Sequence, residues 1–263
     1  MALLKGIDVS HYQQGIDLKK IQADFVIVKA SEGIGYEDPS CRQFAKETVE
    51  AKKKLGLYHF ARPGKQNTAE KEAEWFLSIF HPYIGKAIPI LDWEAEEIEN
   101  VTWAKEWLDH VYEKSGVRPW IYMSESVVNS YDWKEVAKHY PLWMALYRND
   151  RIAFNYDMSD AGTLVHVNNW HSIACWQWTS HGRLVGWRGD LDCDQFYGDR
   201  KRWDEYERKQ NHEIKAQQYI IVKKGDTLSA LANRYQTSIE NLVRWNHIKD
   251  PDHILVGEKL RVR

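Results

Sequence analysis

The 263-residue chain reads as an α/β protein. It is expected to form an irregular (β/α) barrel over residues 1–200 with helices missing in the last third, then a charged linker over 201–218 and a small βααβ domain over 219–263. Three observations predict this. From Leu4 to Tyr147 short apolar runs alternate with stretches at helical spacing, the pattern of parallel strands joined by crossover helices, and so many repeats imply closure. From Arg148 to Asn169 that rhythm stops in polar sequence rich in Gly, Asn and Asp. Beyond Asp199 charged and amide residues dominate until Tyr219, where a new strand, helix, helix, strand pattern starts.

Leu4–Ser10 is the first strand and Phe25–Ala30 the second. Cys41–Leu55 carries Phe44, Ala45 and Val49 at helical spacing, with Gly56 as its stop. Leu57–Ala61 is the third strand. Thr68 caps a helix to Phe80, with Glu70 and Glu72 near its positive end. Ala87–Glu94 is the fourth strand, followed by a helix from Thr102 to Ser115 that Gly116 ends. Strands at 119–123 and 141–147 flank a short helical stretch at 126–138. Strands at 173–178 and 189–196 complete the barrel. Trp203 and Tyr206, three apart, suit a terminal helix pinned on it. In the last domain, 219–222 and 254–262 are strands, and helices start near Leu228 and Ile239.

Hydrophobic residues make up 43% and charged residues 28%, which fits a packed core. Thirteen Trp and fourteen Tyr exceed what a core requires. Flat rings with a polar edge suit sugar faces and interfaces. No apolar run is long enough to span a bilayer, and the N-terminus lacks the features of a secretory signal. The expectation is synthesis and folding in a cytoplasm. Cys41, Cys175 and Cys193 have no C-x-x-C spacing and read as reduced core residues. Net charge is −2, but from Tyr219 onward eight Lys/Arg outnumber five Asp/Glu. That balance slightly favours an anionic surface. No basic stripe or motif supports nucleic-acid binding.

The chemistry centres on Asp92-Trp93-Glu94. Side chains two apart on a strand share a face, so Asp92 and Glu94 should project together with Trp93 opposite. Two acids held close cannot both ionise at their free values, and a protonated acid beside an anionic one can break a glycosidic bond. A lone pair of this kind is more often a solvated helix entry. Other strand ends change the balance. Asp8, Lys29, Glu32, Tyr58, His59, Tyr122, Trp143, Trp176, Trp178 and Asp192 all fall where a parallel barrel gathers its chemistry. Together they describe acids walled by aromatics.

Gly6-Ile7-Asp8-Val9-Ser10, Val28-Lys29-Ala30-Ser31-Glu32-Gly33, Tyr58-His59-Phe60, Asp92-Trp93-Glu94 and Gly189-Asp190-Leu191-Asp192, in this order, resemble family 25 glycoside hydrolases. These are the Chalaropsis-type lysozymes, common as phage endolysins and bacterial autolysins, and the resemblance covers roughly residues 3–200. It implies hydrolysis of the β-1,4 bond between N-acetylmuramic acid and N-acetylglucosamine, with no metal or other cofactor. Glu94 matches the general acid/base and Asp92 the second acid, which stabilises developing charge or orients the acetamido group. Asp8 and Asp192 match two further acids of the site. The last motif departs from the commoner Val-Asp-Leu-Asn form, and Asp190, Asp192 and Asp194 share one face.

Val222-Lys223-Lys224-Gly225-Asp226-Thr227-Leu228, with Asn241-Leu242, Trp245-Asn246 and Leu255-Val256-Gly257, resembles a LysM module. That resemblance implies a shallow site for N-acetylglucosamine-containing glycans between Gly225, Asp226, Thr227, Leu228 and the loop of Asp252, His253 and Ile254. The expected partner is bacterial peptidoglycan, met by a monomer without membrane insertion. Two rival readings are a wall-binding protein with an inactive barrel and a chitin-oligomer hydrolase. The acids oppose the first. The second lacks its D-x-x-D-x-D-x-E run, since Pro89-Ile90-Leu91 precedes Asp92.

Overall fold

A computed structural model describes residues 3–95, 97–164, 167–210, 218–246 and 248–262. The chain forms two compact units, Met1–Gln210 and Asn211–Arg263. Among the described residues no helix is long and apolar enough to cross a membrane.

The first unit is built in chain order from β1 (Leu4–Val9), β2 (Phe25–Glu32), β3 (Tyr36–Glu37), α1 (Cys41–Glu50), β4 (Lys54–Phe60), α2 (Ala69–Phe80), β5 (Ile88–Asp92) and α3 (Val101–Ser115). Then come β6 (Trp120–Ser124), α4 (Glu125–Ser130), α5 (Lys134–Ala137), β7 (Leu142–Ala145), β8 (Ala153–Phe154), β9 (Cys175–Arg183), β10 (Leu191–Phe196) and α6 (Arg200–Glu207). Around the barrel the order is β1-β10-β9-β7-β6-β5-β4-β2, and β1 closes it by pairing with β2. Seven strands run parallel, and β10 lies antiparallel to both β1 and β9. Between β7 and β9 there is no helix among the described residues, as the broken rhythm after Tyr147 implied.

Strand alternation sorts the side chains into two layers. One face, with Ile7, Val28, Leu57, Leu91, Met123, Met144 and Trp176, packs under the helices. The other fills the barrel with Phe25, Ile27, Ile88, Ile90, Trp120, Trp143 and Phe196. The helices start where the local chemistry demands. The Thr68 hydroxyl accepts from Lys71 N at 3.4 Å, and Asn100 Oδ1 accepts from Trp103 N at 3.2 Å. Gly116, at φ +72, ends α3 in the left-handed conformation that favours glycine.

Several boundaries differ from the sequence reading. Helix α1 stops at Glu50, and Lys52 at φ 57 turns the chain into β4. Gly56 is therefore no helix stop. It lies inside β4, where a Cβ would sit 3.0 Å from Ile27 and 3.1 Å from Ile90 on the two flanking strands. The terminal helix expected at Trp203 and Tyr206 is α6, so the first residues of the 201–218 stretch read as linker pack on the barrel instead. The apolar pair Trp203 and Tyr206 outweighs the charged residues around it. Trp203 plugs the lower mouth, its ring 4.7 Å from Phe25, 5.4 Å from Trp120 and 5.1 Å from Phe196. Lys54 secures the helix through Glu207 at 2.7 Å and through Asp204.

The second unit comprises β11 (Tyr219–Ile221), α7 (Leu228–Tyr235), α8 (Ile239–Asn246) and β12 (Lys259–Arg261), with β11 and β12 antiparallel. Its core is Val222, Leu228, Leu231, Ala232, Leu242, Leu260 and Val262. The final strand is shorter than the 254–262 read from sequence, because Leu255–Glu258 closes a turn that docks on Val222 through Gly257 N at 2.8 Å. Thr227 caps α7 by accepting from Ala230 N at 3.1 Å, and Asp226 closes the preceding turn on Lys223 N at 2.8 Å. Asn246 joins α8 to β12. It donates to Arg261 O at 2.9 Å and accepts from Arg261 N at 2.6 Å.

Candidate active site

The upper mouth of the barrel, at the carboxyl ends of the parallel strands, carries the acids. β5 ends at Asp92, which is buried and faces the lumen beside Tyr122 of β6. Trp93 points the other way, stacks on Trp103 at 5.3 Å and donates to Ile98 O at 3.0 Å. Glu94 follows beyond the strand end and is exposed. Asp8 ends the lumen face of β1 and stands opposite Asp192 in the antiparallel register with β10. Because β10 runs downward, its early residue Asp192 reaches the same rim as Asp8, near the end of its own strand.

The four acids feel one another. Burial pushes Asp92 well above the usual carboxylate range; the Glu94 charge adds to this and Lys29 opposes it. Glu94 is open to water along part of its surface. The protein around it still removes enough solvent to raise its pKa, against the pull of Lys29 and Arg62. Burial, then Glu94, raises Asp192 to about 6. Asp8 is raised well above its usual value by burial, then by Asp192 and Asp194. The result is a ring of acids biased toward protonation at one end of the barrel.

Two networks fix this ring. Lys29 Nζ donates to Glu32 at 2.6 Å, and Arg62 Nε donates to the other Glu32 oxygen at 2.9 Å. Burial alone would raise Glu32, but these two cations hold it below its ordinary range. On the opposite side Gln177 Nε2 donates to Asp8 at 2.6 Å, while its Oε1 accepts from Tyr122 at 2.8 Å and also from Tyr147. Beneath them, the buried Trp143 donates to Asp194 Oδ1 at 2.8 Å. Tyr58 is half-buried on the lumen face of β4, and its hydroxyl is pushed up by burial and then by Asp8, Asp92 and Asp192.

The structure therefore brings together Asp8, Asp92, Glu94 and Asp192, with Lys29, Glu32, Tyr58 and Tyr122 around them. Four of the expected substrate-binding residues lie elsewhere. His59 is wholly buried behind the barrel wall. Its ring nitrogens are 2.8 Å from Ser31 Oγ and 2.8 Å from Glu72, and it stacks on Trp107 at 5.5 Å. It is an outward neighbour of Tyr58, so alternation sends it under the helices. Trp176 and Trp178 suffer the same fate, since Gln177 between them takes the lumen face. Trp176 donates to Leu146 O at 3.0 Å, and Trp178 lines a cavity of about 80 Å³ with Asn149, Ile152 and Phe154. Trp143 does face inward, but at 2% exposure it is too deep to touch a sugar.

Sequence reading missed Arg62, Tyr147 and Gln177 as members of this network, and named Asp194 only as sharing a face with Asp192. The signal for Gln177 was present, because a polar residue flanked by two Trp in a strand marks the face opposite the rings. Asp190, which the sequence reading placed on one face with the chosen Asp192, pairs with Arg183 at 2.9 Å at the surface. In the second unit Leu228 is a core residue. Asp252 and His253 are exposed and Ile254 half-buried against the core.

Comparison with known proteins agrees with this architecture. The model of the family Glycosyl hydrolases family 25 matches residues 7–187, and that of the LysM domain matches residues 220–263. Lysozyme M1 of Streptomyces globisporus is 25% identical over 217 residues, covering 76% of this chain and 69% of that protein. N,O-diacetylmuramidase of Chalaropsis sp is 30% identical over 142 residues, covering 47% of this chain and 67% of that protein. The bacterial lysozyme from Streptomyces coelicolor has the same fold, with a TM-score of 0.67 at 24% identity over 78% of this chain and 97% of that one. With more than half of its length matched by the family model, the chain belongs to glycosyl hydrolases family 25 and carries a C-terminal LysM domain.

Proposed function

We propose that this enzyme cleaves the β-1,4 bond between N-acetylmuramic acid and N-acetylglucosamine in bacterial peptidoglycan, with Glu94 protonating the leaving oxygen. The observation that carries this reading is the position of Glu94. It alone of the four acids is exposed, and its raised pKa keeps a proton available where a glycan can reach it. Asp92 lies two residues earlier at the end of β5, buried, with an Oδ1 that accepts no hydrogen bond among the described groups. A substrate acetamido N–H would satisfy that oxygen. Asp92 then orients the acetamido group, and Asp8 and Asp192 face the positive charge that develops at the anomeric carbon. The oriented acetamido oxygen attacks the anomeric carbon as the leaving oxygen departs with the Glu94 proton, and water then displaces that acetamido oxygen, so two inversions keep the anomeric configuration. Glu94, deprotonated after bond cleavage, takes a proton from the incoming water.

The LysM domain adds affinity without new chemistry. Exposed Thr227, Asp252 and His253, beside the Gly225 turn that half-buried Asp226 holds, supply polar contacts for a glycan, with half-buried Ile254 as an apolar edge. Tethering raises the local substrate concentration around the barrel. A lytic role at a bacterial wall, as in an endolysin or autolysin, follows from that pairing. The test is mass spectrometry of purified peptidoglycan after digestion. Muramic acid at the new reducing ends is expected. Glu94→Gln should lower turnover by about three orders of magnitude with unchanged folding and wall binding. Glucosamine at the reducing ends, or full activity in the variant, would overturn the assignment.

A further inference from the structure

β4 leaves the upper mouth through Phe60, Ala61 and Arg62, and three elements hold these residues. Phe60 lies between Glu32 of β2 and Asp92 of β5 in the parallel register. Ala61 N donates to Asp92 O at 3.1 Å. Arg62 N donates to Glu72 Oε2 at 3.0 Å. Glu72 belongs to α2 and is wholly buried. The same oxygen lies 2.8 Å from His59 Nε2, and His59 Nδ1 lies 2.8 Å from Ser31 Oγ. A backbone N–H can only donate, so Glu72 Oε2 is the acceptor for Arg62. Burial lowers the pKa of His59, although Glu72 pulls it the other way. A neutral ring then gives its one proton to Glu72 and accepts from Ser31. Ser31, His59 and Glu72, none of them open to solvent, thus run from β2 through β4 to α2 and end on the main chain of Arg62. No step proposed for the glycan uses them.

The Arg62 side chain borders the acids. Its Nε donates to Glu32 Oε1 at 2.9 Å, and Lys29 Nζ donates to Glu32 Oε2 at 2.6 Å. Both cations lie over the Phe60 ring, Arg62 at 4.6 Å and Lys29 at 4.8 Å from its centre. Phe60 is the strand neighbour of Asp92, so the cations are held beside the end of β5 that carries Asp92 and leads to Glu94. We propose that Glu72 is a positioning residue that acts through Arg62: by accepting Arg62 N–H it sets where the guanidinium stands against Glu32, and so how much positive charge borders the two acids. This rests on the reading of the upper mouth as the active site. Among the described residues, the groups facing the acid pair are Asp8 of β1, Lys29 and Glu32 of β2, Tyr58 of β4, Arg62, Tyr122 of β6 and Asp192 of β10. Of these groups Lys29 and Arg62 are the cations. Both favour the ionised forms of Asp92 and Glu94, against burial.

The readout is the pH profile of kcat/KM on soluble glycan strands. Its alkaline limb reports the proton that Glu94 must hold in the free enzyme. Arg62→Met removes a bordering cation and should move that limb up by about half a pH unit. Glu72→Met removes the acceptor of Arg62 N–H and should move it the same way. The sign is diagnostic, because an acid that loses a neighbouring anion moves in the opposite direction. Glu72→Gln keeps an acceptor oxygen and should bring the limb back to its wild-type position. In the double variant the Arg62→Met shift should stand without addition, as for two residues acting in series. Glu72→Asp keeps the carboxyl but draws it back from Arg62 N–H, so it carries the test if Glu72→Met does not fold, with a smaller upward shift expected. A limb that stays or falls in the folded Glu72→Met or Glu72→Asp variant, a full second shift in the double variant, or an unmoved limb in Arg62→Met overturns the proposal. The shape of the profile does not depend on which glycosidic bond is cut. Glucosamine at the new reducing ends would therefore sink the bond assignment and leave this result standing.

Discussion

The two mouths of the barrel are made by the same strands and serve opposite purposes. At the lower mouth Phe25, Trp120, Phe196 and Trp203 pack ring against ring. At the upper mouth Asp8, Asp92, Glu94 and Asp192 crowd together at raised pKa. The lower end gains stability from buried apolar area, while the upper end gives some of it up by holding like charges close. That division is characteristic of barrels whose chemistry lies at the carboxyl ends of the strands. A strand can contribute to both because its lumen face changes character along its length. Leu4 to Asp8 and Phe25 to Lys29 make that change within five residues.

Substitutions at the two ends should therefore have opposite signatures. The largest stability effect is expected at the bottom. Trp203→Ala should destabilise the unit by about 3–5 kcal/mol, read as a lower midpoint in urea, with kcat of the folded fraction unchanged. Loss of turnover in the fully folded variant would break the separation. At the top, Asp192→Asn should reduce activity and raise stability by about 1–2 kcal/mol near neutral pH, the gain being discounted because the side chain is half-exposed. The sign follows from its raised value of about 6 against an ordinary 3.8. The folded state keeps this proton to higher pH than the unfolded chain, so its stabilisation is full below the ordinary value and lost as pH rises through about 6. The variant should gain above that range and match wild type at the acid end. The smallest effect is expected midway. Gly56→Ala forces Ile27 and Ile90 to give by a few tenths of an ångström, costing about 1 kcal/mol with little change in kcat. A large catalytic loss there would mean that strain travels up the strand to Asp92.

The same alternation that separates the layers explains which site residues were legible. Asp92 and Glu94 were readable because they flank an apolar residue at a strand end, and Asp8 because an apolar run closes on it. His59, Trp176 and Trp178 were misread because their position along the strand was right but their face was wrong. A run such as Cys175-Trp176-Gln177-Trp178 looks aromatic as a whole, yet only its one polar member faces the lumen. Tyr58 and His59 present the same choice, and the outward place goes to the imidazole because Glu72 and Ser31 await it there. Gly56 was misread for a related reason. Glycine after a helical stretch resembles a stop, but here it relieves crowding inside the barrel.

Local pattern by itself determined the strand and helix order, the break after Tyr147, the second small domain and the identity of the central acid pair. These depend on spacing of two or about three and a half residues, and such spacing is written in neighbouring positions. Tertiary structure alone decided that β10 turns over to bring Asp192 level with Asp8, that Trp203 seals the lower mouth, and that Gln177 and Asp194 join the acid network. Those outcomes rest on contacts between residues more than a hundred positions apart, such as Gln177 with Asp8 and Trp203 with Phe25. Their geometry exists only once the sheet has closed.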